Sequence, residues 1–179
     1  MQHSLIEYIH LGGYVMYILV ALNMIGLSIL LWKVIQVQIE SAKAQKTVTN
    51  IFNEVQKEHS SSFHNLEDEI YNKASKHLLF CENGMNTIKI IATIAPILGL
   101  LGTVIGVLSS FETIAAAGFS NGANSFASGI SLALITTVGG LIVALPHYIG
   151  YNYLAGSFTK LETKYESLIV NRITREKIS

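Results

Sequence analysis

Charge and cysteine are both scarce in this sequence of 179 residues. Asp, Glu, Lys and Arg make up 13% of it, whereas soluble domains carry about 25%. Twelve basic residues balance twelve acidic ones, so we expect no nucleic-acid partner, because such binding replaces counterions with Lys and Arg. The single Cys81 excludes an intrachain disulfide and any zinc or iron–sulfur site built from several cysteines.

The motifs of soluble enzymes are also missing. The chain contains no Walker loop, no GxSxG turn and no HExxH zinc motif. Its six histidines show no spacing typical of metal ligands, and Cys81 is expected to be an ordinary thiol on a helix. We therefore predict that the protein is not an enzyme and that it needs neither a metal nor another cofactor.

Long apolar runs dominate what is present. Half of the residues are hydrophobic and the mean hydropathy is +0.44. Residues 14–32, 90–111 and 126–148 contain no Asp, Glu, Lys or Arg, and a bilayer needs about 20 apolar residues per helical span. A buried core helix of a soluble protein, the alternative, rarely stays apolar for so long. We predict transmembrane helices over residues 14–35, 90–111 and 126–148 in an all-α membrane protein.

The positive charges predict the orientation of these helices. All twelve Lys and Arg residues lie within 33–89 or 160–177, so a chain with three spans holds them on one side, and the positive-inside rule makes that side the cytoplasm. Residues 1–13 and the 112–125 hairpin then face outward. No Lys or Arg precedes the first run, which favours a retained anchor over a cleaved signal peptide.

The cytoplasmic parts are expected to be helical. Residues 36–89 form a polar segment with a break predicted between Glu58 and His64, where serines cluster. The tail, residues 149–179, continues the third span. One stripe of its residues repeats every three or four positions and should pack either on the 36–89 helices or on a neighbouring subunit: Leu154, Phe158, Leu161, Tyr165 and Leu168.

Small residues follow one face of each of the two later spans. Such faces let membrane helices approach closely, because lipid supplies no hydrophobic drive for their association. We therefore predict packing roles for Gly99, Gly102 and Gly106 on the second span, and for Gly129, Ala133 and Gly140 on the third. Helix packing alone would account for these faces.

Three hydroxyls accompany the small residues near the middle of the spans, namely Thr103, Thr136 and Thr137. The hydroxyl of a threonine can donate a hydrogen bond to a carbonyl of its own helix, or it can line a water-filled pathway. No span carries an ionisable residue near its middle, where a chain that moved protons unaided would place one. If the protein conducts protons, a partner must supply the titrating group. His147, near the end of the third span, is interpreted as an interfacial histidine.

Two of the runs resemble the second and third spans of ExbB/TolQ proteins. Residues 92–106 read ATIAPILGLLGTVIG and fit the pattern AP-x-x-GLLGTV-x-G, and residues 129–137 read GISLALITT, followed by GL, ALP and YN at 140–152. The resemblance covers roughly residues 88–155. It implies a proton-channel subunit of an inner-membrane motor, with a periplasmic N-terminus and a cytoplasmic C-terminus.

The resemblance also implies partners and roles. Five copies would surround a pore that holds two copies of a single-span ExbD/TolR-like protein, each offering an Asp. Protonation of this Asp would drive a movement that is transmitted to a TonB/TolA-like protein and so powers outer-membrane transport. Thr103 and Thr137 would line the pore, with Thr136 assisting. Many ExbB/TolQ sequences carry a Glu where this chain has Leu132, so coupling would depend on the partner's Asp alone.

Two alternatives remain open at this point. A passive membrane scaffold would use the small residues only to assemble helices, and its hydroxyls would be interchangeable with Ala or Val. A related proton-driven stator would power rotation or gliding, although the three predicted spans and the brief N-terminus differ from the four spans of MotA.

Overall fold

The computed structural model describes residues 9–10, 12–58 and 63–178, and their regular structure is entirely helical. Four helices follow one another in this part of the chain: α1 (Gly13–Glu58), α2 (Phe63–Glu82), α3 (Met85–Ala117) and α4 (Phe119–Ile178). Three of the helical stretches are long and apolar enough to cross a membrane. The prediction of an all-α membrane protein with three such helices is confirmed.

Glycine makes the turn between α2 and α3 and the turn between α3 and α4. Gly84, between α2 and α3, has a φ of 92°, and Gly118, between α3 and α4, has a φ of 76°. A side chain is strained in this left-handed region, so glycine commonly ends helices there. At Gly118 the backbone N–H still donates to the carbonyl of Ile114 at 2.9 Å. The predicted 112–125 hairpin is therefore helical on both sides of a single-residue turn.

The remaining break is the one predicted at the serine cluster. Helix α1 ends at Glu58 and α2 begins at Phe63, which confirms a boundary between two helices at this point. Residues 59–62 themselves lie outside the described part of the chain, as does most of the predicted outward-facing segment, residues 1–13.

The first of two compact units, here called the apolar unit, comprises Met1–Leu30 and Asn86–Tyr151. Its core is small and draws on α1, α3 and α4: Met16, Leu19, Ile91, Ala95, Val143 and Ala144. Many large apolar side chains of α3 point away from this core, among them Ile97, Leu100 and Val104, each about 60% exposed. A soluble monomer rarely exposes so much contiguous apolar surface, so this surface suits lipid or neighbouring helices.

The second unit, here called the polar unit, comprises Leu31–Met85 and Asn152–Ser179. The predicted stripe of the tail is buried within this unit: Leu154, Phe158, Leu161 and Tyr165 are at most 7% exposed, and Leu168 packs against the same core. That core is completed by residues of α1 and α2: Ala44, Val48, Ile51, Phe52, Val55, Ile70 and Ala74. The chain's own helices therefore cover the stripe, as one of the two alternatives predicted.

Candidate functional site

Helices α3 and α4 approach so closely that several glycines leave no room for a side chain. A Cβ placed on Gly99 would lie 2.8 Å from the carbonyl oxygen of Thr136, and one on Gly140 would lie 2.6 Å from that of Ala95. A Cβ on Gly106 would lie 3.0 Å from the Cβ of Ala133. The neighbouring atoms at Gly99 and Gly140 belong to the backbone, so they cannot rotate away.

The other two predicted packing glycines face hydroxyls across the same contact. A Cβ on Gly102 would lie 2.5 Å from Oγ1 of Thr136, and one on Gly129 would overlap Oγ of Ser110. The structure thus brings all six predicted packing residues, including the fully buried Ala133, into the contact between α3 and α4.

The three predicted hydroxyls also meet in this contact. The hydroxyls of Thr103 and Thr137 are in direct hydrogen-bond contact. Thr103 can also donate to the carbonyl of Ala133 at 2.9 Å, and Thr137 to that of Gly99 at 3.3 Å. Thr136 donates to Ala133 at 2.7 Å and reaches Gly99 at 3.2 Å. We call Thr103, Thr136 and Thr137 the threonine cluster.

The cluster offers more acceptors than its three protons can use. Each hydroxyl carries one proton and two lone pairs, while two carbonyls, those of Gly99 and Ala133, accept from several of them. The hydroxyl protons can therefore be arranged in more than one way at little cost. Thr136 is only 2% exposed, whereas Thr103 and Thr137 are partly exposed, so these two present polar atoms at the edge of the contact.

Comparisons with known proteins identify the family. The model of the MotA/TolQ/ExbB proton channel family matches residues 36–167, well over half of the chain. The chain belongs to this family. The ExbB-like 1 protein of Helicobacter pylori (strain J99) is 30% identical over 166 residues, which cover 84% of this chain and 87% of that protein.

Other members of the family match over shorter stretches. The biopolymer transport protein exbB1 of Vibrio cholerae is 38% identical over 73 residues, 41% of this chain and 32% of that protein. The Tol-Pal system protein TolQ of Haemophilus influenzae is 33% identical over 88 residues, 49% of this chain and 38% of that protein. The chain thus spans less than half of these two relatives. The family and the three apolar helices together indicate a multi-pass inner-membrane protein.

Leu132, where the resemblance to ExbB/TolQ proteins led us to expect a Glu, lies on α4 next to Ala133. Its side chain is partly buried. The next residue, Ala133, packs on Gly106 in the contact that holds the threonine cluster.

His147 differs from its interpretation as an interfacial histidine. Its side chain is fully buried within the apolar unit, and a Cβ on Gly26 of α1 would overlap its Nε2. Nδ1 lies 2.7 Å from the carbonyl of Val143 and must be the donor, because a carbonyl only accepts. Nε2 has no hydrogen-bond partner among the described residues. This burial was not predicted, because nothing in the sequence indicates that Gly26 makes room for an imidazole.

A second polar cluster, which sequence analysis missed, lies in the polar unit. Glu40 of α1 accepts hydrogen bonds on Oε1 from Tyr165 at 2.5 Å and Thr47 at 3.2 Å, and its Oε1 lies 3.0 Å from Nε2 of His77. Ligand atoms of Glu40, His77 and Cys81 all lie within 4.8 Å of one another. The spacing of four between His77 and Cys81 was the available signal, because it places both on one face of a helix.

The surroundings of this cluster shift its acid–base behaviour. Burial raises the pKa of the Cys81 thiol, and the nearby Glu40 carboxylate raises it further, against the opposing charge of Lys33. Burial alone would raise the pKa of Glu40, but the hydrogen bonds from Tyr165 and His77 outweigh it, so that the net shift is downward. At neutral pH the cluster therefore holds a carboxylate and a protonated thiol.

Proposed function

We propose that this protein is a proton-channel subunit of an inner-membrane motor of the ExbB–ExbD or TolQ–TolR type. The motor would couple the proton motive force to work in the periplasm or at the outer membrane, through a TonB/TolA-like protein. Membership of the MotA/TolQ/ExbB family and the names of the relatives, which include biopolymer transport proteins, support this proposal. The chain would make and break no covalent bonds.

The threonine cluster is the observation that carries the proposal. It gathers three hydroxyls between two helices whose surroundings are otherwise apolar. Such a cluster is costly in a membrane unless its hydroxyls are bonded, and here each has a partner. Because Thr103 and Thr137 remain partly exposed, they can offer hydrogen bonds to water on a pore surface. We assign these two residues to the pore lining, with Thr136 supporting them from the buried side.

The titrating carboxylate comes from a partner in this proposal. No Asp, Glu or His lies near the middle of a predicted span, and Leu132 stands where the resemblance to ExbB/TolQ proteins implies a Glu. A group that takes up and releases protons must nevertheless lie on the path. A single-span ExbD/TolR-like protein with an Asp in its span would supply it from inside a ring of five copies of this chain.

The topology proposed from the charges completes this arrangement. Residues 14–35, 90–111 and 126–148 would cross the inner membrane, residues 1–13 and 112–125 would be periplasmic, and residues 36–89 and 149–179 would be cytoplasmic. The described parts of the two latter segments are helical except for the turn at Gly84, so the proposal gives the motor a largely helical cytoplasmic part.

Native mass spectrometry of the detergent-purified protein tests the proposal. The chain is measured alone and after co-expression with a single-span candidate that carries an Asp in its span. The control is co-expression with a single-span protein that lacks both this Asp and the sequence around it. We expect a closed ring, of five copies, that captures two candidate chains and no control chain. A monomer, or a ring that never takes the candidate, would instead indicate a passive scaffold.

A further inference from the structure

The cluster of Glu40, His77 and Cys81 belongs to the polar unit, whereas the threonine cluster belongs to the apolar unit, and it has no part in the proposed function. Glu40 comes from α1, while His77 and Cys81 come from successive turns of α2. Cys81 is 2% exposed, and the side chains of His77 and Glu40 are 38% and 16% exposed. The three groups therefore meet at the edge of a packed core, where an ion from solvent can reach them.

The chemistry of the three groups matches one class of ligand. A thiolate, an imidazole and a carboxylate are together the donors that Zn²⁺ and similar divalent transition metals prefer, whereas Ca²⁺ and Mg²⁺ take oxygen ligands. Sites with three protein ligands leave one position open to water or another group. The donor set thus points to a divalent transition metal.

The distances lie close to those that a shared ion requires. Ligand atoms about 2.0 to 2.3 Å from a tetrahedral ion lie roughly 3.3 to 3.7 Å apart. Here Nε2 of His77 lies 3.0 Å from Oε1 of Glu40, and all three ligand atoms fall within 4.8 Å of one another. The three ligand atoms are therefore already close to the separations that one shared ion requires.

We propose that Glu40, His77 and Cys81 bind one Zn²⁺-like ion per chain and so fasten α1 to α2. Cys81 would coordinate as a thiolate and release its proton to solvent. Lys33 favours the thiolate, because its Nζ lies 3.2 Å from the carbonyl oxygen of Cys81 and brings a positive charge close to the site. Tyr165 would orient Glu40 through its 2.5 Å hydrogen bond, in the way that groups behind metal ligands commonly do.

The same cluster could instead serve only as a hydrogen-bonded hub. In that case Glu40 would hold Tyr165, Thr47 and His77 together through hydrogen bonds, and the thiol of Cys81 would take no part. The two readings differ in one measurable respect, because only a metal site engages the sulfur. Cys81 is the only cysteine in the chain, so any thiol signal from the purified protein reports on this position alone.

Cobalt and zinc titrations of the detergent-purified full chain test the proposal. Co²⁺ should bind at one ion per chain and give a thiolate-to-cobalt charge-transfer absorption, together with the visible bands of a tetrahedral ion. Zn²⁺ should displace it. Zn²⁺ at about 100 times its dissociation constant leaves about 1% of sites free, so alkylation of Cys81 should slow by up to about 100-fold.

Variants identify the ligands. His77→Ala and Glu40→Gln should abolish both the charge-transfer band and the protection from alkylation, while Tyr165→Phe should weaken metal binding by about tenfold. His10→Ala and Glu54→Gln are the matched controls and should leave both signals unchanged. Circular dichroism of each variant checks that its helices have formed.

Two results would overturn the proposal. One is a wild-type protein that shows no thiolate band and no protection of Cys81 at saturating metal. The other is a full thiolate band in folded His77→Ala and Glu40→Gln. Neither result bears on the proton-channel proposal, which is tested separately by capture of the partner.

Discussion

The hydroxyls of Thr103 and Thr137 meet across the contact between α3 and α4. Thr103 lies beside Gly102, whose missing side chain leaves space for Thr136. Glycine and threonine therefore depend on each other here, because the close approach that the glycines permit brings the hydroxyls within reach of carbonyls on the opposite helix.

Replacing Thr137 with Val should separate function from assembly. Valine keeps the volume of the side chain but removes its hydroxyl. The loss of one hydrogen bond that stabilises the transition state by about 1 kcal/mol should slow proton-driven work by roughly fivefold. The ring should still form, and Thr137→Ser should retain most of the activity. Uptake driven by the proton motive force in cells, at matched expression, is the measurement.

Thr93→Val is the matched control for this experiment. Thr93 also lies on α3, but its hydroxyl donates to the carbonyl of Lys89 on its own helix at 2.9 Å and is exposed. We expect near-normal uptake from this variant. Normal uptake from Thr137→Val as well would contradict the role of Thr137.

Replacing Gly140 with Ala should destabilise the apolar unit. The new Cβ would lie 2.6 Å from the backbone oxygen of Ala95, so the helices must move apart, and overpacking of this kind costs about 1 to 3 kcal/mol. Thermal unfolding in detergent measures the loss. Gly156→Ala is the control, because nothing lies within 4 Å of its Cβ position. It should be neutral or stabilising by up to about 1 kcal/mol. Equal stability of the two variants would contradict the close contact.

Gly26 and His147 should be coupled energetically. Gly26→Ala places a methyl group against Nε2 of the buried imidazole and should destabilise the protein by about 1 to 3 kcal/mol. In the double variant with His147→Ala, the imidazole is gone and much of that cost should be recovered. A double-mutant cycle of thermal unfolding measures the coupling. Additive losses would show that the two residues do not touch.

Part of this architecture could be predicted from the sequence. Local patterns predict the charge-free runs, the break between Glu58 and His64 and the tail stripe from Leu154 to Leu168. Each corresponds to helices, a helix boundary or a buried face in the structure. A local pattern suffices because apolar spacing along one helix fixes which face is buried.

Other features depend on which helices meet, and the sequence does not record that. The imidazole of His147 is buried because Gly26, 121 positions earlier on another helix, leaves a space for it. Glu40 joins His77 and Cys81 only once α1 lies beside α2. Residues 112–125 are helical on both sides of Gly118, whose positive φ makes the turn between α3 and α4. No hydrophobic pattern reveals this turn.

The hydrogen bond from Tyr165 to Glu40 should make stability depend on pH. The pKa of Glu40 is lowered in the folded protein, because hydrogen bonds from Tyr165 and His77 outweigh the opposing effect of burial. A carboxyl with a lowered folded pKa contributes stability above its unfolded pKa, and this contribution is lost as the pH falls through the folded pKa. The loss should therefore appear on the acid side.

Tyr165→Phe is the variant that tests this dependence. Removing a hydrogen bond to a carboxylate should cost about 2 kcal/mol near neutral pH, with a chelator present to keep the site free of metal. The difference in unfolding temperature between wild type and variant should shrink as the pH falls below the ordinary carboxyl pKa. Tyr71→Phe is the control, since Tyr71 is 41% exposed. A constant difference at all pH values would contradict the role of Glu40.

Proton flux into liposomes tests the central claim most directly. Three preparations are compared under the same membrane potential: this chain alone, the chain with its single-span partner, and the chain with a partner whose membrane Asp is changed to Asn. We predict flux only in the second preparation, because no span of this chain carries an ionisable residue near its middle. Equal flux in all three would contradict a pathway that depends on the partner's carboxylate.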